Sequence, residues 1–313
     1  MADWITSKDN PLTARVIVNR IWLKLLGEGI VPSPNNWGLT GQEPTHPELL
    51  DLLAIQFMQD GWSFKKTIRK IVLSQTYRRS SKVQPENYNR DPENYLLWRF
   101  TPRPLDAEAL RDAVLAIGGG LDTARPYGSQ VADAGDKRIG RGFNQSNFDA
   151  NVRYRSVYLP ILRDDLPEAL ALFDFADPNL SKPKREPTNV PSQALDMMNN
   201  PMVIKEAATM AKELAQAYPG DKGAQVRQAF LRAFGRLPDE ADMEAAKIFY
   251  IHYKPVEQPE SPQRPRGPLR RPGGMFGGRP PPGQSLPHMG PDLQTLAIFC
   301  QSLMASAEFR LLN

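Results

Sequence analysis

The sequence predicts a mainly α protein, a multi-helix globular domain with a small β-hairpin and long loops. Three observations point there. Apolar residues recur at helical spacing along most of the chain, those runs are bracketed by capping residues and by glycine or proline stops, and strand-like alternation is confined to one short run near residue 154. With 313 residues, 41% of them hydrophobic and 9% aromatic, the chain can bury a substantial core. The pattern divides into an N-terminal helical part over residues 1–120, a loop-rich middle over 121–190, and a C-terminal helical part over 191–313 that carries a Pro/Gly/Arg-rich insert at 255–291.

Residues 10–79 read as three helices. Asn10 and Pro11 form an N-cap and first-turn pair, and Gly27 supplies the stop. Leu12, Val16, Leu23 and Leu26 share one face, while Ile17 and Ile21 make the opposite side apolar, so this helix is expected to be largely buried. Burial makes Arg15, Asn19 and Arg20 informative, because each unsatisfied buried polar group costs about 1–3 kcal/mol. Partners are expected from residues 163–185, either as a structural clasp or as a binding site. Thr45 and Glu48 stand at capping-box spacing around Pro47, with Leu49, Leu52, Leu53 and Phe57 as the stripe and Asp60-Gly61 as the end. Ser63 caps the third helix, whose stripe is Phe64, Ile68, Ile71 and Val72 and whose wet side carries Lys65, Lys66, Arg69 and Lys70. Trp37 and Trp62 are expected to fold back as apolar anchors.

Beyond residue 80 the chain is first polar and irregular, then sends Leu96, Leu97 and Trp98 toward the core. Residues 106–117 make a helix on Leu110, Val114 and Ile117, stopped by Gly118. The Gly118-Gly119-Gly120 run is not a phosphate loop, since no Lys-Ser/Thr follows it and no strand precedes it. Residues 121–151 form a long loop in which Asp133 and Asp136 are too few for a calcium site. Residues 154–159 alternate as a strand and are expected to pair with residues 127–131. Further helices are expected at 165–173 with Asp165 as cap, and at 191–198. Others follow from Asn200-Pro201, at 226–234, from Asp239 to Tyr253, and at 292–311. Met197, Met198, Met202 and Met210 fit core filler, and the single cysteine, Cys300, reads as a small buried hydrophobe.

Chemistry is harder to place. Asp174 and Asp177, three apart and followed by Lys182, Lys184 and Arg185, make the best acid–base cluster; the simpler reading is a turn at Asp177-Pro178 and an ion pair to Asp174. His46, His252 and His288 stand in unrelated contexts without metal-ligand spacing, and no nucleophile elbow or dinucleotide fingerprint occurs. No cofactor is therefore expected. The polar residues at apolar helix ends give the candidate pocket: Asn19, Arg20, His46, Arg163, Asp165, Asp174, Asp177 and Arg185.

The net charge is +4, and five arginines against two glutamates in the insert account for about three of it. That leaves a near-neutral body and argues against a dedicated nucleic-acid face. No apolar run is long enough to span a bilayer, and MADWITSKDN lacks the apolar core of a signal peptide.

The blocks NPLTARVIVNRIW, Gly-Leu-Thr-Gly, THPELLDLLA, DGWSFKKTIRKIVLSQTYRRSS, RPLDAEALRDAVLA and NVPSQALDMMNNP, in that order, resemble the domain of unknown function numbered 1553. That family is expanded in planctomycetes. The resemblance runs from about Ala2 to Asn313 and implies a fold family rather than an activity. It also implies a place as the C-terminal part of a longer exported, multi-domain chain, with an uncharacterised domain and often a cytochrome-c-like domain upstream. The implied location is periplasmic or extracellular, and the implied partner is an upstream domain of the same or a companion chain. In that family FDFADP and KREPTNVPSQAL form a hallmark block. Three functional readings follow: a non-catalytic helical module for assembly or for binding a glycan or small molecule, a hydrolase of polysaccharide or sulfated glycan using Asp174 and Asp177, and weak RNA binding through the insert.

Overall fold

The computed structural model of the protein describes residues 1–128, 152–161, 163, 166–182, 184–255 and 289–312. Asp133, Asp136, Asp165, His288 and nearly all of the insert lie outside the described residues. The chain forms two compact units: Met1–Pro104 with Ser181–Arg185 and Leu311–Asn313, and Leu105–Leu180 with Glu186–Arg310. The fold is mainly α, with one small two-stranded antiparallel sheet among the described residues.

The first unit contains α1 (Ala2–Ile5), α2 (Thr13–Leu26), α3 (Pro47–Gln59), α4 (Phe64–Val72), α5 (Pro85–Arg90) and the strands β1 (Arg103–Pro104) and β2 (Leu311–Leu312). Asn10 starts α2 as expected, its Oδ1 accepting the Leu12 and Thr13 amides at 2.9 and 3.0 Å, and Gly27 ends it at φ +90°. The buried face is rotated from the expected one. Ala14, Val18, Ile21, Trp22 and Leu26 meet Leu50, Leu53, Ala54 and Phe57 of α3, while Leu12 is exposed and Val16 only half-buried. Leu12 precedes the first helical turn, so a stripe counted from it drifts off the contact side.

The capping box before α3 does not form. Thr45 gives both its amide and its hydroxyl to the Ile30 carbonyl, at 2.8 and 3.2 Å, stitching the residues before α3 to those after α2. Leu52 is exposed, and Leu50 and Ala54 take the inner positions instead. Ser63 does cap α4, accepting the Lys66 amide at 3.4 Å. Only Thr67 and Ile71 of α4 are fully buried; Phe64 stays exposed although its ring edges Phe57 at 5.6 Å. Trp37 and Trp62 pack on this core as expected.

Residues 91–101 form a hydrogen-bonded loop. The Asp91 carboxylate accepts the Tyr95 and Leu96 amides at 3.0 and 2.7 Å, the Trp98 indole donates to the Asp91 carbonyl at 2.8 Å, and Asn94 donates to the Arg99 carbonyl at 2.9 Å. Phe100 enters the core, and Leu96 points out.

The second unit holds α6 (Ala107–Ile117), α7 (Glu168–Leu172), α8 (Pro191–Asn199), α9 (Pro201–Ala217), α10 (Lys222–Phe234), α11 (Glu240–His252) and α12 (Pro291–Ala305). Its core is the α9–α12 pair, where Val203, Ala207, Met210, Ala211 and Leu214 lie in one buried cluster with Leu296, Phe299, Cys300 and Met304. Asn200 caps α9 through the Met202 amide at 3.0 Å, and Asp239 and Asp242 form a reciprocal capping box at the start of α11. Met197 and Met210 are core filler, whereas Met198 is exposed.

Two expectations fail here. Residues 154–159 are not a strand: Ser156–Tyr158 is a 3-10 turn, and Tyr154 makes a single bridge to Asp122. The cause lies in α6. Arg111 donates to the Val152 and Tyr154 carbonyls at 2.6 and 3.2 Å, and Asp112 accepts the Ser156 amide and hydroxyl at 2.7 and 2.6 Å, so helix side chains occupy the groups a neighbouring strand would use. The last helix also ends at Ala305 instead of continuing to 311; Ser306 is extended, its hydroxyl accepts the Phe309 amide at 3.2 Å, and the chain closes as β2. The sheet therefore joins Arg103 with Leu312 and Pro104 with Leu311.

Candidate functional site

FDFADP and EPTNVPSQAL form a compact hydrogen-bonded clasp within the second unit. Asp174 ends the turn after α7 in the left-handed region, at φ +60°. That places its carboxylate toward residue 188, where Thr188 donates its amide at 2.6 Å and its hydroxyl at 3.0 Å. Gln193, buried in the first turns of α8, then donates one amide group to the Leu172 carbonyl at 3.0 Å and to Thr188 Oγ1 at 3.2 Å. FDFADP and EPTNVPSQAL thus meet through Asp174, Thr188 and Gln193. Asp177 serves a separate turn, accepting the Asn179 amide at 2.8 Å.

Next to this clasp, Asp196 on α8 is held above the usual carboxylate range by burial, opposed by its hydrogen bond from Asn200 and reinforced by the charge of Glu168. A second buried polar cluster stands on α9. Glu206 is 1% exposed and takes Arg153 on both oxygens, at 3.0 and 3.1 Å, while Arg153 Nε donates to the Gly120 carbonyl at 2.8 Å. Burial pushes the Glu206 carboxyl up, against the pull of Arg153. The glycine triplet makes room for this pair: a Cβ on Gly118 would lie 2.4 Å from Glu206, and one on Gly120 would lie 1.6 Å from the Arg153 guanidinium. The triplet is a helix terminator, as read from the sequence, and also the floor of an ion pair that composition gave no hint of.

The remaining candidates are dispersed. Asn19, fully buried, binds the Val31 backbone on both sides, donating to its carbonyl at 3.0 Å and accepting its amide at 2.9 Å. Arg15 pairs with Asp51 at 2.6 Å, and Arg20, which is exposed, reaches Asn35 at 3.3 Å. These partners, Asp51, Val31 and Asn35, lie in the first unit, and none of them falls in residues 163–185, where partners were expected. His46 Nδ1 stands 3.0 Å from the Thr45 hydroxyl. Arg163 is exposed, and Arg185 is half-buried in the short segment that belongs to the first unit, beside Lys184, which pairs with Glu28. Cys300 has no exposed surface, and burial pushes its thiol up to about 12. No group of three or more His, Cys, Asp or Glu suited to a metal ion occurs among the described residues.

The polar residues that reasoning from sequence missed are Asp112, Arg153, Glu206 and Arg236. Arg236 donates to Glu308 at 2.6 and 2.8 Å and to Asp242 at 2.6 Å. Each joins elements far apart in the chain, a relation no local pattern encodes.

A family model described as "PSD1: Protein of unknown function (DUF1553)" matches residues 1–250. That span holds every residue of the clasp and stops short of the insert. No curated protein and no solved structure matches the chain.

Proposed function

The chain belongs to the DUF1553 family, and on that premise we propose that it is a non-catalytic helical module for assembly or ligand binding within a larger, exported multi-domain protein. The observation that carries this reading is the use made of its internal polar groups. Asp174 accepts the amide and the hydroxyl of Thr188, Asn19 closes on one backbone residue, and Glu206 and Arg236 are each committed to internal partners. Groups spent in this way hold segments together; a general acid or base needs a proton site open to substrate. No helix among the described residues is long and apolar enough to cross a membrane.

The test is hydrolysis. Incubation with neutral and sulfated polysaccharides should release no more reducing ends than the Asp174→Asn/Asp177→Asn double variant releases. Turnover that the double variant lacks would overturn the reading in favour of a carboxylate-dependent hydrolase.

A further inference from the structure

The near-neutral body conceals a charge asymmetry. Residues 61–104 carry ten lysines and arginines against three acidic residues, a net +7 within a chain of net +4. Within this stretch, after α4, Gln75, Arg78 and Arg79 line an open cleft of about 470 Å³. We propose that this cleft binds a tetrahedral oxyanion, a sulfate or phosphate group, and so names the ligand class of the binding module above; it rests on that reading.

Three features argue for it. The first is the want of counter-charge. Arg15, Arg153, Arg232 and Arg236 each meet a carboxylate within 3.0 Å. By contrast, the Arg78 side chain has no hydrogen bond or ion pair to any described residue, and Arg79 reaches only the Trp98 carbonyl, at 3.3 Å. A carbonyl orients a guanidinium without neutralising it.

The second is placement. The Phe100 amide donates to the Ser80 carbonyl at 3.2 Å, which lays residues 98–100 beside residues 79–80. Arg99 sits over the Trp98 ring at 5.2 Å, with its Nε buried and unpartnered. The loop that presents it is fixed by Asp91 and Asn94. A third guanidinium thus stands on the segment that orients Arg79.

The third is chemistry. Planar guanidinium forks recognise tetrahedral oxyanions through paired N–H donors, and Gln75 adds a neutral donor beside them. Gln75, Arg78 and Arg79 are all exposed and the cleft is open, so the group can be carried on a larger molecule.

Calorimetric titration of the chain with sodium sulfate, sodium phosphate, heparin and polyphosphate at low salt tests the proposal. Arg78→Gln and Arg79→Gln should each weaken binding about tenfold, as expected for loss of a charge-assisted contact. Arg78→Lys should restore only part of the loss, and Arg69→Gln, on the solvated side of α4, should cost less than about threefold. Circular dichroism on each variant checks folding. Saturation by the inorganic salts identifies a free ion, and arginine-dependent binding of only one of the polymers identifies its source as sulfated or phosphorylated; either supports the site. No binding to any of the four, or an Arg69→Gln loss equal to that of Arg78→Gln, overturns it. Cleavage of a bound polymer is a separate readout and bears on the non-catalytic reading alone.

Discussion

At the scale of single residues, the fold depends on polar side chains that close onto backbone. Asn19→Leu should destabilise the first unit by roughly 2–3 kcal/mol in urea denaturation, because it strands both polar groups of Val31 in a site with no water access. Gly120→Ala should lower stability by about 1–3 kcal/mol, since the guanidinium it would strike is pinned between Glu206 and the Gly120 carbonyl; Gly38→Ala, where the nearest atom would be 3.7 Å away, should be close to neutral. The caps at Asn10, Ser63 and Asn200 were legible in the sequence because capping is settled within three residues. The Thr45 bond to Ile30 was not, since it spans a loop whose path no local rule sets. Asp174 stood out as a candidate by its company of charges, yet its partner Thr188, itself held by Gln193, lies in a block that reads as an ordinary helix start.

Among elements, the same limit explains which helix faces were misjudged. Periodicity established that α2, α3 and α4 are helices; it could not say which of several apolar faces meets a neighbour, so Leu12, Leu52 and Phe64 were expected inside and Val18, Trp22 and Leu50 were overlooked. Residues 154–159 show the converse, a strand pattern overruled by Arg111 and Asp112. Ion pairs between elements also set a pH dependence. The hydrogen bond from Arg236 holds the Asp242 carboxyl below its usual range, so its contribution is present near neutrality and fades as pH falls through that depressed value. Asp242→Asn should therefore cost about 1 kcal/mol at pH 7, a figure discounted for the partial exposure of Arg236, and the gap to the parent should narrow in acid. Glu206 works with the opposite sign. Its carboxyl is raised, so stability is greatest with the proton on and declines as pH rises through the raised value; the stability of Glu206→Gln should vary less across that interval.

For the whole molecule, the informative fact is that the first unit is not continuous in sequence, because it recruits residues 181–185 and the last three residues. All five tryptophans, at 4, 22, 37, 62 and 98, belong to it, so emission excited selectively at tryptophan comes from that unit. Deleting residues 311–313 should lower the urea midpoint seen by tryptophan emission by the equivalent of about 1–2 kcal/mol, since Leu312 packs on its core and β2 pairs with Arg103 and Pro104. Retention of the parental midpoint would show that the β1–β2 pairing contributes nothing. The pairing also has a consequence for synthesis. Pro104 leaves the ribosome some two hundred residues before its partner Leu311 exists. At ordinary elongation speeds that interval is roughly 10–40 s, during which β1 has an open edge and the first unit lacks its final strand. Residues 1–104 therefore stay open until β2 is made, and a product truncated before Leu311 lacks the strand that completes their unit.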